Sequence, residues 1–307
     1  MGYIAIKLGN LPQIPGIRED DQAMIRSCWS ARARRAPALR RVAIGVLAAC
    51  LPLGSLTPAI AADVATGPWR PLFDGRTLNG WTPKVAKHPA GENYRQTFVV
   101  EGGAIRVSYA GYDKLDGQFG HLFYKTPFKA YRLRLTYRFL TEGGLADTPA
   151  WARSNSGIMF HSQSAESMTL EQSFPVSVEF QLLGKDGEAP RPTGSVCTPG
   201  ITITFDGVKA KEHCTESAKA PTIPNGTWTQ VELEVRPNGE VFQKINGVVV
   251  HHYAGLTLDP EDTVAGGAKP YILARGAQPV TEGYIALQSE GHPIAFKDIE
   301  IQDLTAQ

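Results

Sequence analysis

The sequence lacks the short motifs that mark several large enzyme classes. It contains no G-x-G-x-x-G fingerprint, no P-loop and no H-E-x-x-H motif. It also lacks the G-x-S-x-G turn that carries the nucleophile of α/β-hydrolases. These absences argue against a dinucleotide-binding enzyme, a P-loop enzyme, a zinc protease and a serine hydrolase of that fold.

A strong charge of either sign is also missing. The chain has 31 basic and 30 acidic residues, of which eight basic and three acidic residues fall within residues 1–61. Residues 62–307 therefore carry 23 basic and 27 acidic side chains, a formal net charge of −4. This balance gives no reason to expect binding to nucleic acid or to an anionic membrane.

The first 61 residues have the pattern of an export leader. Five arginines between positions 32 and 41 precede an apolar run, Val42 to Leu56, and Thr57-Pro-Ala-Ile-Ala61 supplies a small-x-small cleavage pattern. The run is too short for a membrane span and is interrupted by Pro52. We therefore predict a cleaved leader and signal peptide over residues 1–61, followed by one mature domain over residues 62–307.

A lipid anchor is the competing interpretation of the leader. Leu47-Ala-Ala-Cys50 matches the lipobox of bacterial lipoproteins. Lipid-anchored proteins usually continue with a polar tether, whereas the residues after Cys50 stay apolar. We therefore favour a periplasmic or secreted protein over lipidation at Cys50.

Cysteine is scarce after the leader, where only Cys197 and Cys214 remain. Two cysteines in an exported chain most simply pair with each other. The absence of a second cysteine pair argues against a metal role for them. We predict a disulfide that closes a loop or a hairpin.

Residues 62–307 also lack a convincing amphipathic helix, an internal repeat and a flexible linker. They contain instead roughly a dozen short segments of alternating pattern separated by turns, such as Asn246-Gly247. In the clearest segment, Ala130 to Leu140, arginines alternate with apolar residues, which indicates a core face and a solvated face with cross-strand ion pairs. The pattern predicts an all-β, antiparallel β-sandwich of the jelly-roll type.

Residues 153–161 form the first of two predicted strands that carry chemistry. Because side chains alternate along a strand, Gly157, Met159 and His161 are expected on one face. The opposite face of the strand is then largely apolar, as a core strand requires.

Residues 178–183 form the second such strand. Glu179 and Gln181 share one face, and three apolar residues share the other. A glutamate beside a glutamine on an otherwise apolar strand is costly to bury without partners. We therefore expect these two side chains to line a wet cleft.

The polar candidates at strand positions and strand ends suit a sugar site. A sugar needs paired donors and acceptors for its hydroxyl groups and aromatic faces for its ring carbons. Taken singly, each candidate is equally compatible with a surface position or a satisfied core position. The candidates are Arg153, Asn155, His161, Glu179, Gln181, Lys244, Gln288, Glu290, His292 and, on an earlier strand, His121.

Several motifs occur in the order found in one known family. They are Leu72-Phe-Asp-Gly-Arg-Thr-Leu-Asn-Gly-Trp81, Ser154-Asn-Ser-Gly-Ile158, Glu179-Phe-Gln-Leu182, Gly283-Tyr-Ile-Ala-Leu-Gln288 and Ile294-Ala-Phe-Lys-Asp-Ile299. On these residues the chain resembles the 3-keto-disaccharide hydrolase domain family, from Trp69 to Ile301. Many members have an acidic residue soon after the Glu-x-Gln strand, where this chain has Gly184-Lys185. A role for that acid carries over only if Asp186 substitutes.

The resemblance implies a concanavalin A-like jelly roll in an exported bacterial enzyme that acts on oxidised sugars. A ketone at sugar C3 acidifies the hydrogen at C2, so a base removes it and the enolate expels the C1 glycosidic oxygen. Water then adds back. This chemistry needs a general base, donors for the developing oxyanion and an acid for the leaving group.

Residue roles follow from the same chemistry. Glu179 is the first choice for the base, with His161 as its rival. The candidate donors are Arg153, Asn155 and Gln181. His292 or Glu290 is the candidate acid.

Two other functions stay open at this point. One is a non-catalytic, lectin-like glycan-binding module on the same fold, and the other is a conventional two-carboxylate glycosidase, for which no ExDxxE-like strand is present. The sequence allows a divalent ion at the cleft but contains no spacing that demands one. Since no cofactor motif is present, a separate oxidoreductase is expected to supply the 3-keto sugar.

Overall fold

The computed structural model describes residues 67–304. The predicted leader and Cys50 lie outside these residues, so cleavage and export stay predictions. Within the described residues, no helix is long and apolar enough to cross a membrane.

Seventeen strands and four short helices make up the described chain. The strands are β1 (Arg70–Pro71), β2 (Trp81–Val85), β3 (Phe98–Glu101), β4 (Ala104–Val107), β5 (Gly120–Tyr124), β6 (Tyr131–Phe139), β7 (Asn155–Ser162), β8 (Val178–Leu183), β9 (Val196–Cys197), β10 (Ile201–Phe205), β11 (Val208–Lys209), β12 (Cys214–Thr215), β13 (Thr229–Val235), β14 (Val241–Ile245), β15 (Val248–Leu258), β16 (Tyr284–Ser289) and β17 (Ile294–Asp303). One α-helix, α1 (Lys269–Leu273), and three 3₁₀ turns, Tyr94–Gln96, Ala150–Ala152 and Ala165–Ser167, complete the list.

The strands form two antiparallel sheets packed face to face. The large sheet has the order β11-β10-β15-β14-β13-β6-β17-β4-β3, with β1 added beside β17. The small sheet has the order β12-β9-β8-β7-β16-β5-β2. One hydrophobic core fills the space between the sheets. This architecture confirms the predicted all-β, jelly-roll sandwich.

Strand β6 shows how the sequence pattern produces the large sheet. Its burial alternates strictly along all nine residues, with the tyrosines and leucines in the core. On the outer face Arg132 pairs with Glu234, and Arg134 pairs with Glu300. The predicted solvated face with cross-strand ion pairs is confirmed.

The small sheet differs because both of its faces are buried near its centre. Residues 163–175, which we call the cover segment, contribute Ala165 and Met168 to a second apolar cluster with Met159 of β7. The Lys84 ammonium on β2 donates to the Leu170 carbonyl at 3.1 Å and so ties this segment to the sheet. Every residue of β5 and of β7 is buried as a result.

A β-bulge changes the face of His161. Tyr284 pairs with Ser162 and Ala286 pairs with Met159, so β7 has one residue more than β16 between these pairs. His161 lies in this bulge with a positive φ of 46°. Its ring meets Tyr131 of the large sheet, with 6.3 Å between ring centroids. The prediction that His161 shares a face with Gly157 and Met159 is therefore wrong.

The predicted disulfide is confirmed. Cys197 on β9 and Cys214 on β12 are directly paired across the edge of the small sheet and joined by their sulfur atoms. Cys197 also pairs with Glu179 on its other side. The bridge therefore fastens the sheet edge next to the strand that carries Glu179.

Candidate active site

Polar side chains from five segments meet on the covered face of the small sheet. Residues directly opposite each other on antiparallel strands share a face. His121 pairs with Lys84 on one side and with Gln288 on the other. Met159 pairs with Glu179, and Gly157 with Gln181. We call Lys84, His121, Asn155, Glu179, Gln288 and Glu290 the buried polar cluster.

Glu179 has its place because Gly157 has no side chain. A Cβ atom at position 157 would lie 2.6 Å from Cγ and 2.8 Å from Cδ of Glu179, closer than real contacts allow. The carboxyl group of Glu179 thus lies across the backbone of the neighbouring strand. Any residue other than glycine at position 157 would displace it.

Glu179 and Glu290 form an interacting pair of buried carboxyl groups. Burial raises the pKa of Glu179 well above the usual glutamate range. Burial also raises the pKa of Glu290, the charge of Glu179 raises it further, and Arg191 partly opposes this shift. Because each charge disfavours the other, the two groups lose their protons in separate steps, and one carboxyl group holds its proton after the other has lost it.

The cluster contains an unusual number of unpaired atoms. Buried polar atoms in folded proteins nearly always have a hydrogen-bond partner. Within residues 67–304, no partner is present for Glu179 Oε1, Glu290 Oε2, Asn155 Oδ1, both ring nitrogens of His121 and both amide atoms of Gln288. This set of donors and acceptors matches what a polyhydroxylated guest would require.

His121 and Lys84 lie side by side at one end of the cluster. Burial and, to a smaller extent, the Lys84 charge lower the pKa of His121 to about 3, so the imidazole is neutral. The Lys84 ammonium donates to the carbonyls of Val85 and Leu170 at 3.0 and 3.1 Å. Its pKa is lowered by burial and raised by the charge of Glu171. A neutral donor and a cation thus face the same space.

Arg191 supports the opposite end of the cluster. Its guanidinium donates to four backbone carbonyls, those of Trp151, Arg153, Ser154 and Gly184. Burial lowers the pKa of Arg191, and the charges of Asp186 and Glu290 raise it. Arginine remains charged under such shifts. Arg191 therefore fixes the turn that leads into β7 and places a positive charge near Glu290.

Sequence reasoning did not identify Lys84 or Arg191. Lys84 follows a proline in a short strand, and Arg191 lies between two prolines in a polar loop. Neither position carries a local signal, because both residues enter the site only through long-range pairing.

The predicted site residues divide into two groups. Asn155, Gln288, Glu290 and His121 lie in the buried polar cluster with Glu179, and the half-buried Gln181 lies at its edge beside Gly157. Arg153, Lys244, His161 and His292 lie elsewhere.

The structure places three of these outlying residues as follows. Lys244 lies on the outer face of the large sheet in ion pairs with Glu232 and Glu234 at 2.5 and 3.1 Å, so its predicted place in the cleft is wrong. The side chain of Arg153 is exposed. His161 lines a different groove, to which Glu179 does not contribute.

His292 and Asp186 lie near the cluster without joining it. His292 Nε2 is 3.1 Å from the Leu140 carbonyl, and burial lowers the pKa of the ring. Asp186, the suggested substitute for the missing acid, is exposed and acts on Arg191 and His292 only through its charge.

Three aromatic rings pack together beside the cluster. Phe119 lies 5.5 Å from Trp151 and 5.3 Å from Phe174, measured between ring centroids. Phe174 in turn meets His121 edge-on at 6.2 Å. Trp151 keeps 44% of its surface exposed. These rings offer apolar faces of the kind that sugar rings stack on.

The cluster does not have the composition of a metal centre. Among the described residues, no group of three or more histidine, cysteine, aspartate or glutamate side chains is arranged to hold an ion. Its carboxylates are accompanied by amides and by the Lys84 ammonium. These residues do not fit a bound metal, and no reaction step is assigned to one.

The chain matches one protein family and is distantly similar in fold to several solved structures. A family model described as a 3-keto-alpha-glucoside-1,2-lyase-like domain matches residues 68–302. None of the curated proteins matches the chain.

The chain also has structural similarity to carbohydrate-related proteins. A "putative glycosyl hydrolase" from Parabacteroides distasonis is 18% identical with a TM-score of 0.46, over 76% of this chain and 93% of that chain. The β-glucanase of Bacillus licheniformis is 12% identical with a TM-score of 0.42, over 78% and 97%. The carbohydrate-binding module CBM66 of Bacillus subtilis is 8% identical with a TM-score of 0.37, over 72% and 93%.

Proposed function

This chain belongs to the 3-keto-alpha-glucoside-1,2-lyase-like family, and we propose that it cleaves the glycosidic bond of 3-keto-glycosides or 3-keto-disaccharides. The proposed route is elimination followed by hydration. The observation that carries this proposal is the pair of buried, interacting carboxyl groups, Glu179 and Glu290, within a set of unpaired donors and acceptors.

Elimination begins with removal of the hydrogen at C2, which the C3 ketone acidifies. We assign the base to Glu179, because its carboxyl group lies across Gly157 among the unpaired donors and acceptors of the cluster, and its raised pKa strengthens it as a base. His161, the rival for this role, lies in a separate groove. The electron pair of the C2–H bond moves into an enolate between C2 and C3.

The enolate oxygen needs donors that are already in place. The neutral imidazole of His121 and the amide of Gln288 supply hydrogen bonds, and the Lys84 ammonium supplies positive charge. Because these groups are buried, water does not screen their effect on the developing negative charge.

Collapse of the enolate expels the glycosidic oxygen from C1 and forms a C1–C2 double bond. Glu290 is the proposed acid that protonates this oxygen, because burial and the charge of Glu179 raise its pKa and so favour its protonated form. Water then adds across the double bond, with its hydroxyl at C1 and a proton at C2. The products are the free alcohol and the 3-keto sugar.

A lectin-like module remains the second candidate. Its support is the set of unpaired donors and acceptors, which would bind a glycan whether or not a reaction follows. The cluster itself is closed to solvent, with Glu179 7% exposed and His121 and Gln288 fully buried. Under the enzyme proposal, the cover segment moves aside when substrate enters. The exposed Trp151 and Leu170 mark the surface over which this would happen.

Turnover of a chromogenic 3-keto-glucoside, measured beside its unoxidised parent, tests the proposal. Release from the keto substrate alone supports elimination, and release from the parent supports a conventional two-carboxylate hydrolase. Binding of sugar with turnover of neither substrate supports the lectin-like candidate. The same assay with a chelator tests for a contribution from a divalent ion.

The cellular setting is part of the proposal. The Cys197–Cys214 disulfide fits an oxidising compartment, so we propose that the protein acts in the periplasm or outside the cell. The proposed substrate is an oxidised sugar, which requires a separate oxidoreductase to introduce the C3 ketone.

A further inference from the structure

A second polar concavity lies at the end of β7 opposite to Asn155. This groove, which we call the His161 groove, has a volume of about 260 Å³. It is bounded by the end of β15, by α1 and by residues 275–282. Its lining includes His161, Gln163, Tyr271, Gln278, Thr281 and Glu282.

His161 has an unsatisfied polar atom beside the groove. The side chain is 5% exposed, and no atom of residues 67–304 forms a hydrogen bond with its Nδ1. Burial lowers the pKa of His161 to about 4, so the ring is neutral and has one donor and one acceptor nitrogen. The hydroxyl of Tyr131, whose ring meets His161, also lacks a partner within these residues.

The backbone holds His161 in this position at a cost. Its positive φ of 46° is unusual for a residue with a side chain. A Cβ atom on Gly283 would lie 2.6 Å from the Cα of His161, so only glycine permits the approach of these two strands. Strained backbone of this kind is common at active sites and ligand-binding sites.

The rim of the groove combines a flat surface with balanced charge. The Arg275 guanidinium lies 3.7 Å above the Tyr271 ring and donates to the Tyr271 carbonyl at 3.1 Å. Glu282 supplies the opposite charge and pairs with Lys129 at 3.6 Å. Neither a strongly anionic nor a strongly cationic ligand is favoured by this rim.

We propose that the His161 groove is a separate binding site for one uncharged sugar ring. The imidazole of His161, the amide of Gln278 and the hydroxyl of Thr281 are hydrogen-bonding groups suited to sugar hydroxyls. The stacked Tyr271 and Arg275 side chains offer a flat face to the C–H groups of the ring. This site shares no lining residue with the buried polar cluster and does not depend on the proposed reaction.

Two substitutions test the groove from different directions. His161→Asn removes the ring at a position where asparagine tolerates the positive φ. Thr281→Trp fills the groove from an exposed position, where it leaves the core untouched. His252→Asn is the matched control, because His252 lies on the outer face of the large sheet beside Glu240. Circular dichroism and melting curves check that each variant folds.

The measurement is binding of methyl glucoside and of glucuronate by ligand-observed NMR and calorimetry. We expect His161→Asn and Thr281→Trp each to weaken methyl glucoside binding at least fivefold, and His252→Asn to leave it unchanged. Glucuronate should bind no more tightly than methyl glucoside.

Three outcomes would overturn the proposal. Methyl glucoside binding that survives Thr281→Trp would show that sugar does not occupy the groove. Loss of binding in Glu179→Gln would place the sugar in the buried polar cluster. Absence of methyl glucoside binding to the folded wild-type protein would show that the groove does not bind a sugar ring. None of these outcomes depends on turnover, so failure of the proposed reaction would be seen separately.

Discussion

Two glutamates, one on each sheet, have little exposed surface but opposite surroundings. Glu234 on the large sheet is 3% exposed and pairs with Arg132, Arg236 and Lys244 at 3.3, 2.7 and 3.1 Å. Glu179 on the small sheet is 7% exposed, and its Oε1 has no partner within the described residues.

The pKa values of these two carboxyl groups move in opposite directions. Burial by itself raises the pKa of Glu234, but hydrogen bonds from Arg236 and Lys244 bring it below the usual value. Burial raises the pKa of Glu179, and nothing offsets it. A buried carboxylate with hydrogen-bond partners contributes to stability. A buried carboxyl group without partners is available to react or to bind a ligand.

The sharpest test of this contrast is Glu179→Gln. We expect kcat on a 3-keto-glucoside to fall about a thousandfold, because the base is lost. The melting temperature should change little, since an amide replaces an unpaired buried carboxyl of the same shape. Steady-state kinetics and calorimetry measure the two effects. Full turnover in this variant would remove Glu179 from the mechanism.

A smaller effect is expected from Gly157→Ala. The added methyl group would displace the Glu179 carboxyl, and misplacement of a catalytic group by about 1 Å costs roughly a hundredfold in rate. Gly143→Ala is the control, because no atom lies within 4 Å of a Cβ at that exposed position. Equal rates for the two alanine variants would contradict the role given to Gly157.

Glu234→Gln should lower stability without lowering turnover, which is the opposite of the result expected for Glu179→Gln. Loss of the carboxylate leaves Arg132, Arg236 and Lys244 without their shared partner, and we expect the free energy of unfolding to fall by about 1–3 kcal/mol. Turnover should stay at the wild-type level. A rate loss without destabilisation would mean that the outer face of the large sheet contributes to function.

The pH dependence of stability gives the finest test. Because the pKa values of Glu179 and Glu290 are raised on folding, the native state binds more protons than the unfolded state above the usual glutamate value of 4.5. Stability should therefore fall as pH rises through their folded pKa values, by at most about 1.4 kcal/mol per pH unit for each group.

Chemical denaturation across this pH range measures that slope. Glu290→Gln should reduce it, and Glu234→Gln should not, since the lowered pKa of Glu234 affects stability only at acid pH. A wild-type free energy of unfolding that does not change above pH 4.5 would show that folding does not raise the pKa values of Glu179 and Glu290.

The sequence predicted those features that depend on local alternation. Strand β6 and the shared face of Glu179 and Gln181 follow from a period of two, which burial of one face enforces. The Cys197–Cys214 bridge follows from their being the last two cysteines.

Features that depend on contacts distant in sequence were not predictable in the same way. The bulge at His161 arises from a close approach to Gly283, more than a hundred positions away, and it reverses the expected face. Lys244 has a position in the alternating pattern of its strand that would suit a site residue. The pattern does not show which sheet the strand joins. The partnership of Arg191 with the turn before β7 is invisible for the same reason.

Strand β7 faces the hydrophobic core on one side and the buried polar cluster on the other. Ile158 and Phe160 pack between the sheets, while Gly157 and Met159 lie against Glu179 and the cover segment. Sequence changes along β7 are therefore expected to affect the stability of the core and the shape of the buried polar cluster together. A substitution that loosens the packing of Ile158 is expected to move the backbone beside Glu179 as well, so neutral variation in the core would alter whatever the cluster binds.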